Sequence, residues 1–445
     1  MGRVAVVGAG PVGLTVALEL AARGVESIVL EAKPALEPIG SRAIVLARHA
    51  LATFRRLGCA EIVERGVVLD RARTYVGERQ LFTVEFERPR GDELPAFVNL
   101  QQTHTERVLL AHVEGVRFAS RITALRQDGD QVRLTTEDGE VEASYVVACD
   151  GTRSTVRRLL GLEFPGRSYH DRFLIADVRA ELPRFARNER RFFFDPPSNP
   201  GRQILVHPQP DGEWRIDWQV PPETDAEAER SSGALDGRIR ALAGDVPYEL
   251  MWLTAYRFHQ RLAPRLRVGR VFLAGDAAHE MSVFGARGLN SGVEDATNLA
   301  WKLALVLEGE APDSLLDSYE RERRAAAQEN LRVTGATMRF MAPPTPIHRL
   351  YRNAVLRGGL RVSALRRFVN SGKLATPAVY PGDGPVGKPV AARAELVDDA
   401  GHGFTVAAHE GDRLLVRPDG YVAARLDGIS LQAALGSALR GDLPA

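Results

Sequence analysis

The sequence predicts an α/β fold carrying α+β elements, in which a parallel-sheet domain is assembled from two distant stretches and an antiparallel-sheet domain is interleaved between them. Three observations carry that prediction. Residues 3–7 form a short apolar run that ends in Gly8-Ala9-Gly10-Pro11-Val12-Gly13, after which Leu14, Ala17, Leu18 and Ala21 recur at helical spacing. A second apolar run, Val271-Phe272-Leu273-Ala274, ends in Gly275-Asp276. After a glycine-bearing loop it is followed by Val293, Ala296, Leu299, Ala300, Leu303, Ala304 and Leu307 on one helical face. From about Phe164 the α/β alternation gives way to strands with period-two patterning.

At 445 residues the chain exceeds the size at which one core usually suffices. The expected division is 1–163 and 263–345 for the two parts of the parallel-sheet domain, 164–262 for the antiparallel sheet and 346–445 for a C-terminal region. A net charge of +1 and 44% hydrophobic residues, with a mean hydropathy of −0.17, describe a soluble enzyme with no charge excess to recruit nucleic acid or an anionic membrane. No apolar segment is long enough to span a bilayer, and Gly8, Gly10, Pro11 and Gly13 interrupt the N-terminal run before it could act as a signal sequence, so a cytoplasmic location is expected. Cys59 and Cys149 lie far apart without Cys-x-x-Cys or Cys/His spacing, and read as reduced thiols; no metal site is expected.

The glycine stretch carries the first chemistry. Gly8 permits a tight turn, Gly10 lets a pyrophosphate reach the backbone, and Gly13 lets helix and strand pack closely. Residues 27–30 read as the next strand and deliver Glu31, about 20 residues past the glycines, where a carboxylate accepts hydrogen bonds from a ribose. Strand, glycines, helix, strand and acid in register make a Rossmann-like dinucleotide-binding unit whose loops include Pro11, Val12 and Ala32. Further on, 46–57 reads as an amphipathic helix and 66–98 as a charged, irregular segment. Residues 117–125, 131–136 and 140–148 read as strands, with Asp128-Gly129-Asp130 and Asp138-Gly139 as turns. The run 145–149 ends at Asp150-Gly151, with Ser154 placed to cap a helix.

The second half repeats the logic. Asp276 lies at the carboxyl end of a buried strand, where α/β sheets bind ligands. The helix opening at Leu289-Asn290 points its free N–H groups into the same cleft.

Gly-Asp-Ala-Ala-His at 275–279, the loop through Gly285, Gly-Leu-Asn-Ser-Gly at 288–292 and Asp-Ala-x-Asn-Leu-Ala-Trp-Lys-Leu at 295–303 together resemble the second flavin-binding signature of the single-component FAD-dependent aromatic hydroxylases. That family includes para-hydroxybenzoate hydroxylase and the phenol hydroxylases, and the resemblance covers residues 1 to about 330. It implies FAD as the resident dinucleotide, with Asp276 on the ribityl chain and the backbone at Gly288-Leu289-Asn290 against the pyrimidine edge of the isoalloxazine. It implies further that Arg42 reaches the pyrophosphate, that Gln102 (or Gln101 in the alternative register) touches the ribityl chain, that Ile122 lies near the adenine, and that Asp150-Gly151 lies near the pyrophosphate. The implied activity is hydroxylation of a phenolic or polycyclic aromatic substrate through a C4a-hydroperoxyflavin, with NADH or NADPH and O2 consumed. Where relatives commonly have a proline before Phe-Gly, this chain has Val283. Val283 and Phe284 are expected to border the reacting ring, and the substitution leaves the pocket's shape open.

In the middle sheet, expected at 173–179, 190–195, 202–206 and 214–220, alternation puts Arg191, Phe193 and Asp195 on one face and Phe192 with Phe194 on the other. Gln203, Leu205 and His207 share a face, as do Trp214, Ile216 and Trp218. One face roofs the flavin, and periodicity leaves open which. His259 is a candidate to assist phenol deprotonation, and His207 a second. The same fold also serves halogenases, flavin-dependent reductases or oxidases, and FAD-binding proteins without catalysis. The Trp-x-Trp-x-Ile pattern of halogenases is absent, Trp214 and Trp218 being spaced differently. The tail beyond Pro381 resembles a small or truncated thioredoxin-like domain without Cys-x-x-Cys, and the protein is expected to be a monomer or homodimer.

Overall fold

Four short apolar strands, Val271–Leu273, Tyr145–Ala148, Val4–Val7 and Ser27–Leu30, lie side by side and parallel in that order, edged by Arg267–Val268 and Val116–Arg117. Covered on both faces, they show no polar alternation. The helices Pro11–Ala21 and Arg287–Leu307 pack against each other on this sheet, so the two glycine-bearing stretches meet although they are far apart in sequence. The small antiparallel sheet Ile122–Asp128, Gln131–Thr136 and Gly139–Ala143 stands beside it, with the turns where Asp-Gly placed them. The computed structural model describes residues 2–36, 43–343, 345–369, 374–382, 385–391 and 394–442.

The second large element is an eight-stranded sheet. Its order is His279–Glu280, Tyr248–Leu262, Gly166–Ala180, Glu213–Val220, Gln203–Pro208, Glu189–Phe194, Arg71–Val76 and Arg79–Glu85. The last two strands correct the expectation that 66–98 is irregular. Arg71–Val76 pairs parallel to Glu189–Phe194, and Arg79–Glu85 closes a hairpin at the sheet edge. An edge hairpin needs few apolar residues, and here Thr74 and Leu81 are buried while most neighbours stay partly or fully exposed, which is why its composition reads as a loop. The helix expected over 46–57 begins instead at Arg48, because Val45–Ala47 is drawn into pairing with Phe97–Asn99.

The sheet's two faces separate cleanly. Leu174, Ala176, Val178, Ile204, Val206, Trp214, Ile216 and Trp218 face one way and form a core with Leu235, Ile239 and Ala243 of the helix Ala234–Ala243. The opposite face carries Phe173, Ile175, Phe192, Phe194 and Leu205, which cluster with Phe258 and Phe284. The tryptophans therefore belong to the covered back of the sheet, and the Phe192/Leu205 face looks toward the parallel-sheet domain.

After the 25-residue helix Asp317–Met341, the helix Pro346–Gly359 leads to the C-terminal region. There Glu395–Gly401, Phe404–His409, Asp412–Val416 and Val422–Arg425 form an antiparallel meander followed by the helix Leu431–Leu439. No parallel strand pair of the thioredoxin type occurs in it among the described residues. The meander is not an appendage: Phe404 meets Trp301 edge-on with ring centroids 5.6 Å apart, and Leu415, Ala434 and Ala438 join Leu305 and Leu315 in one core.

Candidate active site

The carboxyl ends of the four parallel strands deliver Gly8, Glu31, Asp150 and Asp276 to one edge of the sheet, in keeping with the rule that such edges bind ligands. From that edge a cavity of about 810 Å³ runs beneath the large sheet. Gly8, Gly10, Pro11, Val12, Glu31, Ala32, Gln102, Ile122, Asp150, Gly151, Gly275, Asp276, Gly288 and Leu289 line it at the parallel-sheet end, and His207, Val283 and Phe284 line it further in.

Local interactions explain why these groups stand where they do. Glu31 accepts from the N–H of Ala9 at 2.8 Å and of Lys33 at 2.9 Å, so the acid after the second strand also ties down the glycine turn. Asp150 accepts through Oδ2 from the N–H groups of Thr155 and Val156 at 2.7 and 3.1 Å, while Ser154 caps the same short helix by accepting from Arg157 N–H at 2.9 Å. Oδ1 of Asp150 is buried and has no protein partner. Burial pushes the Asp150 carboxyl above its ordinary value, against the pull of Ser154 and the backbone N–H groups of Val156 and Thr155. Arg157 staples two loops together, donating to the carbonyl oxygens of Ala277 at 2.9 Å and Thr152 at 2.8 Å.

The second glycine stretch is held from below by residues whose role the sequence did not assign. Asp295 accepts from Gly275 N–H at 2.9 Å, lies 2.7 Å from His279 Nε2, and takes the Arg323 guanidinium at 2.6 Å. Burial alone would raise the Asp295 carboxyl, but His279 and Arg323 hold it below the ordinary carboxylate range. The Gly275–Ala277 turn is thereby fixed by a buried ion cluster.

Not every predicted residue reaches the cavity by its side chain. The helix begins at Arg287, two residues before the expected Leu289-Asn290, and Asn290 turns away from the cavity. It accepts from Ala47 N–H at 2.8 Å and donates to the carbonyl of Val45 at 3.0 Å, clamping the strand Val45–Ala47. Gly13 serves the packing of helix on strand rather than the lining: a Cβ there would stand 1.9 Å from Gly8 O. Of the two register alternatives, Gln102 lines the cavity, whereas Gln101 donates to Glu213. His259 lies in a recess adjoining the cavity, with Arg261 and with Thr152, Arg153, Tyr256 and Glu280, which also line the main space; His259 itself is not part of that lining, and its Nδ1 is 2.7 Å from Ser168 Oγ. Arg42 falls outside the described residues.

Sequence reading missed a charged patch on the cavity-facing side of the large sheet. Arg190, Arg215 and Asp217 line the cavity with His207. Arg215 and Asp217 alternate with Trp214, Ile216 and Trp218, and that charged period-two face was the signal available in the sequence.

The parallel-sheet end fits a dinucleotide. A Cβ on Gly10 or Gly288 would meet no protein atom within 4 Å, so backbone is open to a ligand at both glycine stretches. Pro11 starts a helix there whose first N–H groups suit phosphate, and the unpartnered Asp150 Oδ1 awaits a donor. No group of three or more His, Cys, Asp or Glu suited to a metal ion occurs among the described residues. None of the described helices is long and apolar enough to cross a membrane.

Comparison with known proteins agrees with this geometry. A family profile described as FAD binding domain matches residues 1–334. The chain is 34% identical over 379 residues to a 3-(3-hydroxy-phenyl)propionate/3-hydroxycinnamic acid hydroxylase of Mycobacterium sp. (strain JLS), covering 82% of this chain and 65% of that protein. It thus spans just under two thirds of that relative's length. A rifampicin monooxygenase of Streptomyces venezuelae is 35% identical, with 78% of this chain and 74% of that one covered. The crystal structure of p-nitrophenol 4-monooxygenase from Pseudomonas putida DLL-E4 superposes with a TM-score of 0.71 at 29% identity, covering 85% of this chain and all of the other.

Proposed function

The chain belongs to the FAD-binding-domain family, whose profile spans its first 334 residues, and from that premise we propose that it is an NAD(P)H-dependent monooxygenase that hydroxylates a phenolic or polycyclic aromatic substrate. The observation that carries this reading is the continuity of the cavity. One space of about 810 Å³ connects the glycine-lined dinucleotide end to an inner chamber walled by Ile175, Leu205, Val283 and Phe284. A dinucleotide-binding protein without an organic substrate has no need of the inner chamber. Bound and reduced FAD supplies the oxygen-activating chemistry. The chain's own residues bind, orient and exclude water.

In this reading Glu31 takes the adenosine ribose, Gly8 to Val12 and Asp150 the pyrophosphate region, Gln102 and Asp276 the ribityl chain, and the backbone at Gly288-Leu289 the pyrimidine edge. Phe284 and Val283 border the reacting ring. Phe284 is suited to that position because Phe173, Phe192 and Phe258 surround it with ring centroids 5.5, 6.2 and 6.2 Å away, leaving it one defined orientation. The relatives named for a hydroxyphenylpropionate and for rifampicin support an aromatic substrate without deciding its size.

The test is direct. The purified protein carries FAD, and within a panel of phenols at least one accelerates oxidation of NADH or NADPH and gains one oxygen atom by mass spectrometry. Acceleration without oxygen gain across the panel removes the monooxygenase assignment.

A further inference from the structure

The patch that sequence reading missed is built as a site. On three neighbouring strands, His207 stands opposite Arg215 and Leu205 opposite Asp217, while on the other side Arg215 faces Asp177 and Asp217 faces Ile175. Arg191 pairs with Val206, which puts Arg190 in the row of His207. The charged side chains therefore gather on one face of the roof, the face that lines the cavity opposite the FAD end. Arg215 is held rigidly: Nε and Nη2 donate to the two carboxylate oxygens of Asp177, each at 2.7 Å.

What this leaves over is informative. Arg215 Nη1, His207 Nδ1 and Asp217 Oδ1 are buried and have no protein partner, and their residues are 1%, 5% and 8% exposed. A buried polar atom left without a partner is destabilising, so three in one cavity lining call for a ligand that satisfies them. One guanidinium donor, one imidazole nitrogen that can donate or accept, and one carboxylate acceptor in the lining of a single cavity are the complement of a ligand hydroxyl, which can give a proton and receive hydrogen bonds at one atom.

We propose that Asp217 accepts the proton of an acidic hydroxyl of the aromatic substrate, and that Arg190, Arg215 and His207 hold the resulting anion. This rests on the hydroxylase reading and deepens it by assigning the residue that takes the substrate's proton and the residues that hold the anion. The substrate O–H bond breaks, its proton goes to Asp217 Oδ1, and the electron pair remains on the substrate oxygen. The ring is thereby made electron-rich before any oxygen is transferred. Asp217 has the right environment: burial pushes its carboxyl up to about 7, with Arg215 and Arg190 pulling down and Asp177 pushing up. His207 is held well below its ordinary value by burial and by Arg190 and Arg215, so it enters the site neutral. The groups facing Asp217 are thus Arg215 on its own strand, Asp177 on Gly166–Ala180, Arg190 on Glu189–Phe194 and His207 on Gln203–Pro208. Trp252, over which Arg215 lies at 5.3 Å, is the aromatic contributed by Tyr248–Leu262.

The experiment uses the FAD-loaded full chain and 3-nitrophenol, whose phenolate absorbs in the visible, whose neutral form does not, and which ionises above the range in which Asp217 does. At a pH between the two, binding to the native protein in a weakly buffered medium generates the phenolate band with no net proton release, because the proton stays on Asp217. In Asp217→Asn, with unchanged FAD content, whatever band forms is accompanied by release of one proton per probe bound, and Asp217→Glu restores retention of the proton. Arg190→Gln weakens binding of the anion at least tenfold. Equal proton release in the native protein and Asp217→Asn, or no band in the native protein, overturns the proposal. If phenols still stimulate NAD(P)H oxidation in that case, the hydroxylase reading survives and only the role of Asp217 falls. If no aromatic stimulates oxidation, the hydroxylase reading falls first.

Discussion

A Cβ added to Gly13 would stand 1.9 Å from the carbonyl oxygen of Gly8, a backbone atom that cannot swing aside, whereas one added to Gly10 would meet no protein atom within 4 Å. Gly10 also has φ −73°, a conformation any residue adopts. The two glycines therefore answer different demands, one from the fold and one from the ligand. Gly13→Ala is expected to lower the stability of the FAD-free protein by about 1–3 kcal/mol or more, the cost of overpacking against rigid backbone. Gly10→Ala is expected to leave that stability within about 0.5 kcal/mol but to weaken FAD binding tenfold or more by occupying ligand space. Urea unfolding of the FAD-free variants, set beside FAD titration monitored by flavin fluorescence, separates the two. Equal losses in both assays for both variants would mean that Gly10 is structural as well.

The helix Arg287–Leu307 organises the site less by its own first turn than by what it grips. Asn290 holds the backbone of Val45 and Ala47 at 3.0 and 2.8 Å, and Asp295 holds Gly275 N–H at 2.9 Å. Its close approach to the first glycine loop depends on Gly292, where a Cβ would come within 2.5 Å of Val12. One helix thus fixes three cavity-lining segments relative to one another. Asn290→Ala strands a buried N–H and a buried carbonyl at Val45–Ala47. The expected cost is about 2–4 kcal/mol, measured by thermal or urea unfolding, accompanied by weaker FAD binding although Asn290 does not line the cavity. Native FAD affinity in a destabilised Asn290→Ala protein would show that the clamp serves stability alone.

Across the whole molecule, a buried ionic network ties the C-terminal meander to the FAD-binding core. Arg417 pairs with Glu322 at 2.7 and 2.9 Å and with Asp419, and Glu322 also takes Lys302 Nζ at 3.0 Å and Asn298 Nδ2 at 2.6 Å. Burial would raise the Glu322 carboxyl, but Arg417 and Lys302 hold it far below the ordinary range, while burial brings Lys302 down to about 8. Tyr380 stacks on Tyr421 with centroids 4.3 Å apart and accepts from Arg323 at 3.0 Å, and Arg323 in turn reaches Asp295 beneath Gly275. Removing one member leaves charges buried and unpaired. Arg417→Ala is expected to destabilise the protein by about 3–5 kcal/mol. Because the meander and the core share this network, unfolding should remain a single transition by both flavin release and far-UV circular dichroism. Two separated transitions in the native protein would mean that the C-terminal region is an independent unit.

The sequence by itself determined the parallel strands, the glycine turn, the acid at Glu31 and the Gly275-Asp276 strand end, because each is specified within a few residues by apolar runs and by backbone geometry that only certain side chains allow. It also determined that an antiparallel sheet follows Phe164. Only the tertiary structure decided which face of that sheet looks inward, since period-two alternation is symmetric between faces until a partner layer covers one of them. Here the helix Ala234–Ala243 covers the Trp214 and Trp218 face, turning Arg215, Asp217 and His207 into the cavity. The same holds for Asn290, whose place in a flavin-like signature gave no sign that its amide serves a strand more than 240 residues away. Hydrogen bonds between distant segments follow from how layers stack, and stacking is a property of the assembled chain rather than of any stretch within it.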